Sequence, residues 1–323
     1  MKRAFLFTLM GLIVVGLVFL LNGAVCSAEE PYEFVFITHG GEENVFWAAV
    51  YKGMTDACTK YEVKCEMFRP KTEGDLAAQL SFFQATLALK PDGIATTIPH
   101  ESMYDDVVKQ AIDAGIPVLA VNTDDPEGAK GNARLAYVGQ DLKYAGYVLA
   151  KEASKYFPEE PHVMIGIEGP GLVWAEQRKS GIIQFLEEQG IKDYTIQELS
   201  LDFADDESRT VAYLKAHPET NVIFTVGTGT APAAWAAKRL GYKPGDIVIG
   251  GFDLIPEIIE QIDAGYVTLT IDQQPYLQGY LPVVQLYMMS KYGFSAWDVN
   301  TGNGVVDKSN YKLIEELSKE RIR

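Results

Sequence analysis

Basic residues are scarce in this chain. Against 44 Asp and Glu it carries 28 Lys and Arg, a formal charge of -16 over 323 residues. A nucleic-acid partner needs its phosphates neutralised, and this balance supplies no such surface, so no nucleic-acid partner is expected. Histidine is scarcer still. His39, His100, His162 and His217 form no HExxH or His-rich cluster, and no metal centre is legible. There is no GxSxG elbow. VGTGTAP at Val226–Pro232 could cradle a phosphate on backbone N–H groups at a helix start, but it lacks the P-loop lysine and the GxGxxG spacing. With no catalytic apparatus standing out, no enzyme activity and no cofactor are expected. No low-complexity linker divides the chain either. A composition of 47% hydrophobic and 22% charged residues is globular, and the length suits two lobes of ordinary size.

The most specific processing signal lies at the N-terminus. Lys2 and Arg3 precede an apolar run from Ala4 to Leu21, and Asn22 to Ala28 follow, with Cys26 and Ala28 at the two small positions of a cleavage site. Residues 1–28 are therefore expected to be a signal peptide, with the mature, exported chain starting at Glu29. The run is also long enough to span a bilayer if it is kept, so anchoring through the N-terminus is the alternative. Removal of the leader takes two cations and no acid, leaving only Cys58 and Cys65. Export to an oxidising compartment makes a disulfide between them one reading; two buried free thiols are the other.

From Phe34 the chain alternates strand and helix. Phe34–Ile37 is a short apolar run suited to a strand buried on both faces. Thr38 to Glu43 form a polar loop, and Asn44 can cap a helix with Val45, Phe46 and Trp47 in its first turn. Adjacent helical residues point about 100° apart, so one of Phe46 and Trp47 is expected in the core and the other at a cleft. Strands follow at Glu62–Phe68, Asp92–Thr97, within Ala114–Val121 and at Ala136–Gly139, separated by helices from Asp75 and over Glu101–Ala114. After a helix from Asp141 to Tyr156, a second series runs through strands at His162–Ile167, Thr195–Leu199, Val222–Val226, Ile247–Phe252 and Val267–Asp272. A Tyr-rich helix to Lys291, a short strand at Val305–Val306 and a charged, solvated final helix close the chain. Such alternation calls for parallel sheets covered on both faces, an α/β fold.

Ligands of open α/β sheets bind beyond the strand carboxyl ends. The groups there are Thr38 and His39, Asn122 to Asp125, Glu168 to Gly171, Gly227 to Thr230, Asp253, and Asp272 to Gln274. Planar polar side chains with fixed donors and acceptors, beside aromatic faces, suit a hydroxylated ligand. Each residue also has a structural role open to it. Asp124 and Asp125 can cap the loop before Pro126, Arg178 can tie the second lobe by an ion pair, Asp253 can cap a helix, and Trp174 can be packing.

NVFW at Asn44–Trp47, AGIPVLAVNTD at Ala114–Asp124, YVGQD at Tyr137–Asp141, QRKSGI at Gln177–Ile182, GGFDLIPE at Gly250–Glu257 and TIDQQPYLQG at Thr270–Gly279 resemble, in that order, the periplasmic sugar-binding proteins of bacterial ABC transporters, in the ribose-binding-protein-like branch. The resemblance implies the type I periplasmic binding protein fold. In it two Rossmann-like lobes with parallel sheets are joined by a three-segment hinge, and ligand is trapped by closure. It divides the chain into residues 29–139 plus 274–300 as the N-terminal lobe and 140–273 plus 301–323 as the C-terminal lobe. It also implies a monomer, a small-molecule ligand and an ABC permease as partner. The family's aromatic pair falls on Phe46 and Trp47, its first-lobe polar contact on Asn44, its second-lobe acid on Asp253 and its hinge glutamine on Gln273.

Three departures bear on the ligand. Asn122 and Thr123 stand where Asp-Arg is common, Glu176 where a clamping Arg is usual with Arg178 beside it, and Gly227-Thr228 where Asn-Asp is familiar. The ligand set expected is Asn44, Phe46, Trp47, Asn122, Asp124, Trp174, Glu176, Arg178, Thr228, Asp253 and Gln273, holding a sugar or polyol. Other readings are a nucleoside or signalling furanose, a sensor serving a membrane receptor or kinase, and, from a different class, an exported hydrolase or transferase.

Overall fold

The computed structural model describes residues 30–323. The expectations for Lys2, Arg3, the apolar run, Cys26 and Ala28 lie outside the described residues. Tyr32–Arg323 form one compact unit.

Two six-stranded sheets carry that unit. The first has the order β11-β5-β4-β3-β1-β2, from β1 (Glu33–Ile37), β2 (Lys64–Phe68), β3 (Gly93–Thr96), β4 (Val118–Val121), β5 (Ala136–Gly139) and β11 (Val299–Asn300). The second has the order β12-β10-β9-β8-β6-β7, from β6 (Val163–Ile167), β7 (Tyr194–Glu198), β8 (Val222–Thr225), β9 (Val248–Phe252), β10 (Leu269–Asp272) and β12 (Gly304–Asp307). The pairing is parallel except between β10 and β12. Chain order therefore passes from one sheet to the other after Gly139, after Asp272 and after Asn300.

Strand periodicity shows why both faces are covered. Phe34 and Phe36 of β1 enter one apolar core while Val35 and Ile37 enter another, as alternation with period two requires. Helices α1 (Phe46–Tyr61), α2 (Leu76–Leu89) and α3 (Asp105–Asp113) belong to the first sheet, as does α9 (Pro275–Tyr292). The second is covered by α4 (Leu142–Ala153), α5 (Val173–Glu188), α6 (Phe203–Ala216), α7 (Thr230–Arg239), α8 (Pro256–Ala264) and α10 (Tyr311–Lys319).

One helix pair in each half crosses at backbone contact. A Cβ on Gly53 of α1 would lie 2.0 Å from the Tyr276 carbonyl oxygen, and one on Gly279 of α9 would lie 1.9 Å from that of Val50. Gly146 of α4 and Gly181 of α5 stand in the same relation to Arg178 and Lys143. Only a residue without Cβ permits this approach. Cys58, in the last turns of α1, and Cys65, in β2, are joined as a disulfide with Cα atoms 6.2 Å apart.

Some boundaries differ from the sequence reading. Strand β11 escapes it because two residues carry no periodicity. Helix α10 is not simply a solvated face, since Tyr311 and Ile314 enter the second sheet's core. Among the described residues, no helix is long and apolar enough to cross a membrane.

Candidate functional site

The carboxyl ends of both sheets supply the groups of one cleft. At its rim the two halves touch: the Val173 N–H at the start of α5 donates to the Pro99 carbonyl at 3.0 Å. A cavity of about 280 Å³ lies between them, lined by Phe46 and Ala49 of α1, Asp253 and Leu254 after β9, Gln273 after β10, and Arg323.

A chain of side-chain amides and acids runs through the centre. The Asn122 amide after β4 donates to Gln273 Oε1 at 3.2 Å and to Gln278 Oε1 at 3.1 Å. Gln273 in turn donates to the Asp253 carboxylate, while its backbone oxygen accepts from Gln278 at 2.9 Å and from the Thr301 hydroxyl at 2.8 Å. Asn122 and Asp253 both hold left-handed backbone, φ 64° and 76°, which non-glycine residues adopt rarely and which is a common mark of functional sites. Burial raises the Asp253 pKa, and the Arg178 guanidinium and the Gln273 amide act against that rise.

Arg178 is buried and stacks over the Phe252 ring at 4.0 Å, with Trp174 5.9 Å away. It donates to the Val226 carbonyl at 2.8 Å and to Gln140 Oε1 at 3.1 Å. These bonds replace the ion pair the sequence suggests, because the strand end offers a carbonyl where a carboxylate was expected. His39 sits across from it, edge-on to Trp47 at 5.4 Å. Its pKa falls to about 3 through burial and the Arg178 charge, so its imidazole is neutral at any physiological pH.

Several buried polar atoms here have no protein partner: Thr38 Oγ1, His39 Nδ1, Thr123 Oγ1, Trp174 Nε1 and Arg178 Nε. Each lies at or just beyond a strand carboxyl end, or on the helix that follows. A buried donor or acceptor left unpaired costs on the order of 1–3 kcal/mol, and native folds leave few of them. A polar ligand at the strand ends would satisfy this set.

The remaining candidates divide. Phe46 is 8% exposed and lines the cavity, whereas Trp47 is 2% exposed and packs edge-on against Phe46 at 5.2 Å. The Asn44 oxygen caps the Phe46 N–H at 3.0 Å and its amide donates to Glu73 at 3.2 Å. Thr228 is half-buried on the loop after β8. Asp124 is paired with Arg134, and Glu176 accepts from the Gly171 N–H at 3.0 Å and pairs with Lys179. Asp253 does not cap α8, whose first turn starts at Pro256 without a side-chain cap.

Two acids carry more than the sequence suggests. Glu73 accepts from the Gly41 N–H at 2.6 Å and from Asn44, holding the loop after β1. Nothing marks it in the sequence, since its partners lie about 30 residues upstream. Glu168, visible only as a strand-end polar residue, accepts from the N–H groups of Val226 at 3.0 Å, Gly227 at 3.2 Å and Gly229 at 2.8 Å. The glycine-rich loop is thus a cradle for an anion, and the anion is this carboxylate. Asp206, fully buried, presses on the same place: a Cβ on Gly229 would lie 2.3 Å from Glu168 Oε1 and 2.5 Å from Asp206 Oδ2. Burial pushes both pKa values up. Among the described residues, no group of His, Cys, Asp and Glu could hold a metal ion.

Comparison with known proteins agrees with this architecture. The profile of the periplasmic binding protein domain matches residues 34–293. The xylose/arabinose-binding protein XylF of Sulfolobus acidocaldarius is 30% identical over 298 residues, covering 87% of this chain and 73% of that protein. The D-allose-binding periplasmic protein of Escherichia coli is 28% identical over 242 residues, 72% of this chain and 76% of that protein. A carbohydrate transporter from Acidothermus cellulolyticus, solved with myo-inositol, superposes with a TM-score of 0.80 at 29% identity, over 91% of this chain and 100% of that one. The chain is a binding protein and not an enzyme, and it belongs to the periplasmic binding protein domain family.

Proposed function

We propose that this exported chain, acting as a monomer, captures a sugar or polyol between its two lobes and delivers it to an ABC permease. The lobes are residues 29–139 with 274–300, and 140–273 with 301–323, and the three crossings between the sheets serve as hinge. The observation that carries the reading is the set of unpartnered polar atoms at the strand ends, on Thr38, His39, Thr123, Trp174 and Arg178, beside the Asp253–Gln273–Asn122 chain. Hydroxyl groups both donate and accept, so a polyhydroxylated ring answers such a mixed set.

In this reading Phe46 and Trp174 give apolar faces, Arg178 and Asp253 hold hydroxyls from the second lobe, and Asn122 and Gln273 hold them at the hinge. Trp47 and Asn44 shape the first-lobe wall, and Thr228 borders the loop after β8. Asp124 and Glu176 serve as loop ties through Arg134 and Lys179. Ligand contacts to both lobes shift the population toward the closed form. The relatives' ligands, a pentose pair, an allose and an inositol, support the substrate class.

The test is a thermal-shift screen of ligand-stripped protein against pentoses, hexoses, inositols, nucleosides and amino acids. A ligand at a hundred times its Kd adds about 2.7 kcal/mol to folded-state stability. A rise confined to one sugar or polyol group supports the reading; a rise with nucleosides or amino acids alone overturns it.

A further inference from the structure

The residues after α10 turn back onto the second crossing between the sheets. Tyr311 and Ile314 fix α10 in the core of the second sheet. Beyond its last turn Arg321 holds left-handed backbone, φ 59°. The Arg321 N–H bonds to the Ser318 carbonyl and the Ile322 N–H to that of Leu317, both at 2.9 Å. Two such bonds around a left-handed residue make a Schellman motif, which stops a helix and redirects the chain. Redirected here, Arg323 reaches β10, where its guanidinium pairs with the Asp272 carboxylate. It also lines the interlobe cavity opposite Phe46 and Ala49 of α1.

Asp272 is the last residue of β10 and is only 1% exposed. Its Oδ1 accepts from the Gln274 N–H at 2.7 Å, and Gln274 is itself left-handed at φ 54°. A carboxylate bonded to the N–H two residues on forms an Asx-turn, which sets the course of the residue between. That residue is Gln273, whose side chain meets Asn122 and Asp253. The third crossing rests on the same turn, since a Cβ on Gly302 would lie 2.8 Å from Gln274 Nε2.

Removing one partner of a buried pair strands the charge of the other, which is strongly destabilising even where the pair itself adds little. A stranded Asp272 would also bear on its neighbour. Burial raises the Asp253 pKa, Arg178 and the Gln273 amide oppose the rise, and the Asp272 charge adds to it. We propose that Arg323 is a positioning residue for ligand capture: by pairing with Asp272 it holds the turn that presents Gln273 to Asn122 and Asp253. This role rests on the capture of a sugar or polyol proposed above, and Arg323 serves it through Asp272 rather than by touching the ligand.

The experiment is calorimetric titration of the ligand-stripped protein with xylose, arabinose, allose and myo-inositol. It is run on the parent, Arg323→Ala, Arg323→Lys, and Arg323→Ala combined with Asp272→Asn, with circular dichroism checking each fold. The guanidinium makes a single bond to Asp272 Oδ2, so a lysine can replace it. An asparagine at 272 keeps an oxygen for the Gln274 N–H and needs no counter-ion. The expected result is an affinity loss of roughly tenfold in Arg323→Ala, recovered to within about threefold of the parent in both the lysine and the double variant. Arg321 lines the same cavity without pairing with Asp272, and Arg321→Asn, which suits left-handed backbone, should bind as the parent does. Parent affinity in Arg323→Ala would overturn the proposal. So would a loss that neither the lysine nor the double variant recovers, which would reduce Arg323 to packing. If the parent itself binds none of the four, the capture reading fails and this role fails with it.

Discussion

The Asn122 side-chain amide and the Gln273 side-chain oxygen, 151 residues apart in sequence, meet at 3.2 Å in the buried centre of the protein. Asn122 directly follows β4 of the first sheet, and Gln273 follows β10 of the second on a segment that passes between them. Gln273 also donates to Asp253, so one glutamine reads the position of both strand ends. Gln273→Ala removes both bonds and leaves buried partners unpaired. It is expected to cost on the order of 1–3 kcal/mol of stability, measured by urea denaturation, and to weaken ligand binding in calorimetry. Unchanged affinity would remove this residue from the site.

Arg178 makes two bonds that a lysine cannot reproduce, because a planar fork reaches the Val226 carbonyl and Gln140 together while its face lies on Phe252. Arg178→Lys keeps the charge opposite Asp253 and loses the geometry. The expected result is an affinity loss of about tenfold or more, equivalent to roughly 1.4 kcal/mol, with the fold retained by circular dichroism. Full affinity in the lysine variant would reduce Arg178 to a charge.

The Glu168–Asp206 pair gives a pH dependence with a definite sign. Burial raises Asp206 from its ordinary 3.8 to about 9 and Glu168 from 4.5 to about 7. The folded state then keeps protons that the unfolded chain releases, so this contribution to stability is complete below the ordinary carboxylate range. It declines as pH rises and is gone above about 9. Asp206→Asn removes one of the two raised carboxyls, and the fall in urea midpoint across that window should become shallower than in the parent. An identical slope would show that the pair does not titrate there.

The disulfide closes a short loop from the end of α1 into β2, with a sequence separation of 7. The loop-closure entropy for that length corresponds to about 2 kcal/mol. Cys58→Ser with Cys65→Ser is expected to lower stability by about that amount while leaving ligand affinity unaltered, since neither residue lines the cleft.

Much of this was legible in the chain itself. The apolar runs at Phe34–Ile37 and Val163–Ile167 read as buried strands because a parallel sheet covers both faces, and the polar residues after them mark the cleft. What periodicity does not carry is the partner of a polar group. Glu73 and Glu168 bind backbone N–H groups 32 and about 60 residues away, and neither loop advertises a need for a carboxylate. Asp124 reads in sequence as a ligand contact or loop cap, yet Arg134, only ten residues on, folds back to pair with it. For Phe46 and Trp47, helix geometry predicts one inward and one at the cleft; both are buried, because His39 and Gly40 close over Trp47 while Phe46 remains on the cavity wall.

The central claim is capture of a hydroxylated ligand by side chains of both lobes. Calorimetric titration of ligand-stripped protein with xylose, arabinose, allose and myo-inositol, run in parallel on Asp253→Ala, tests it most directly. The account predicts saturable binding of at least one of them at one site per chain, abolished or strongly weakened in the variant while its fold persists. No binding of any, or full affinity without the Asp253 carboxylate, would contradict it.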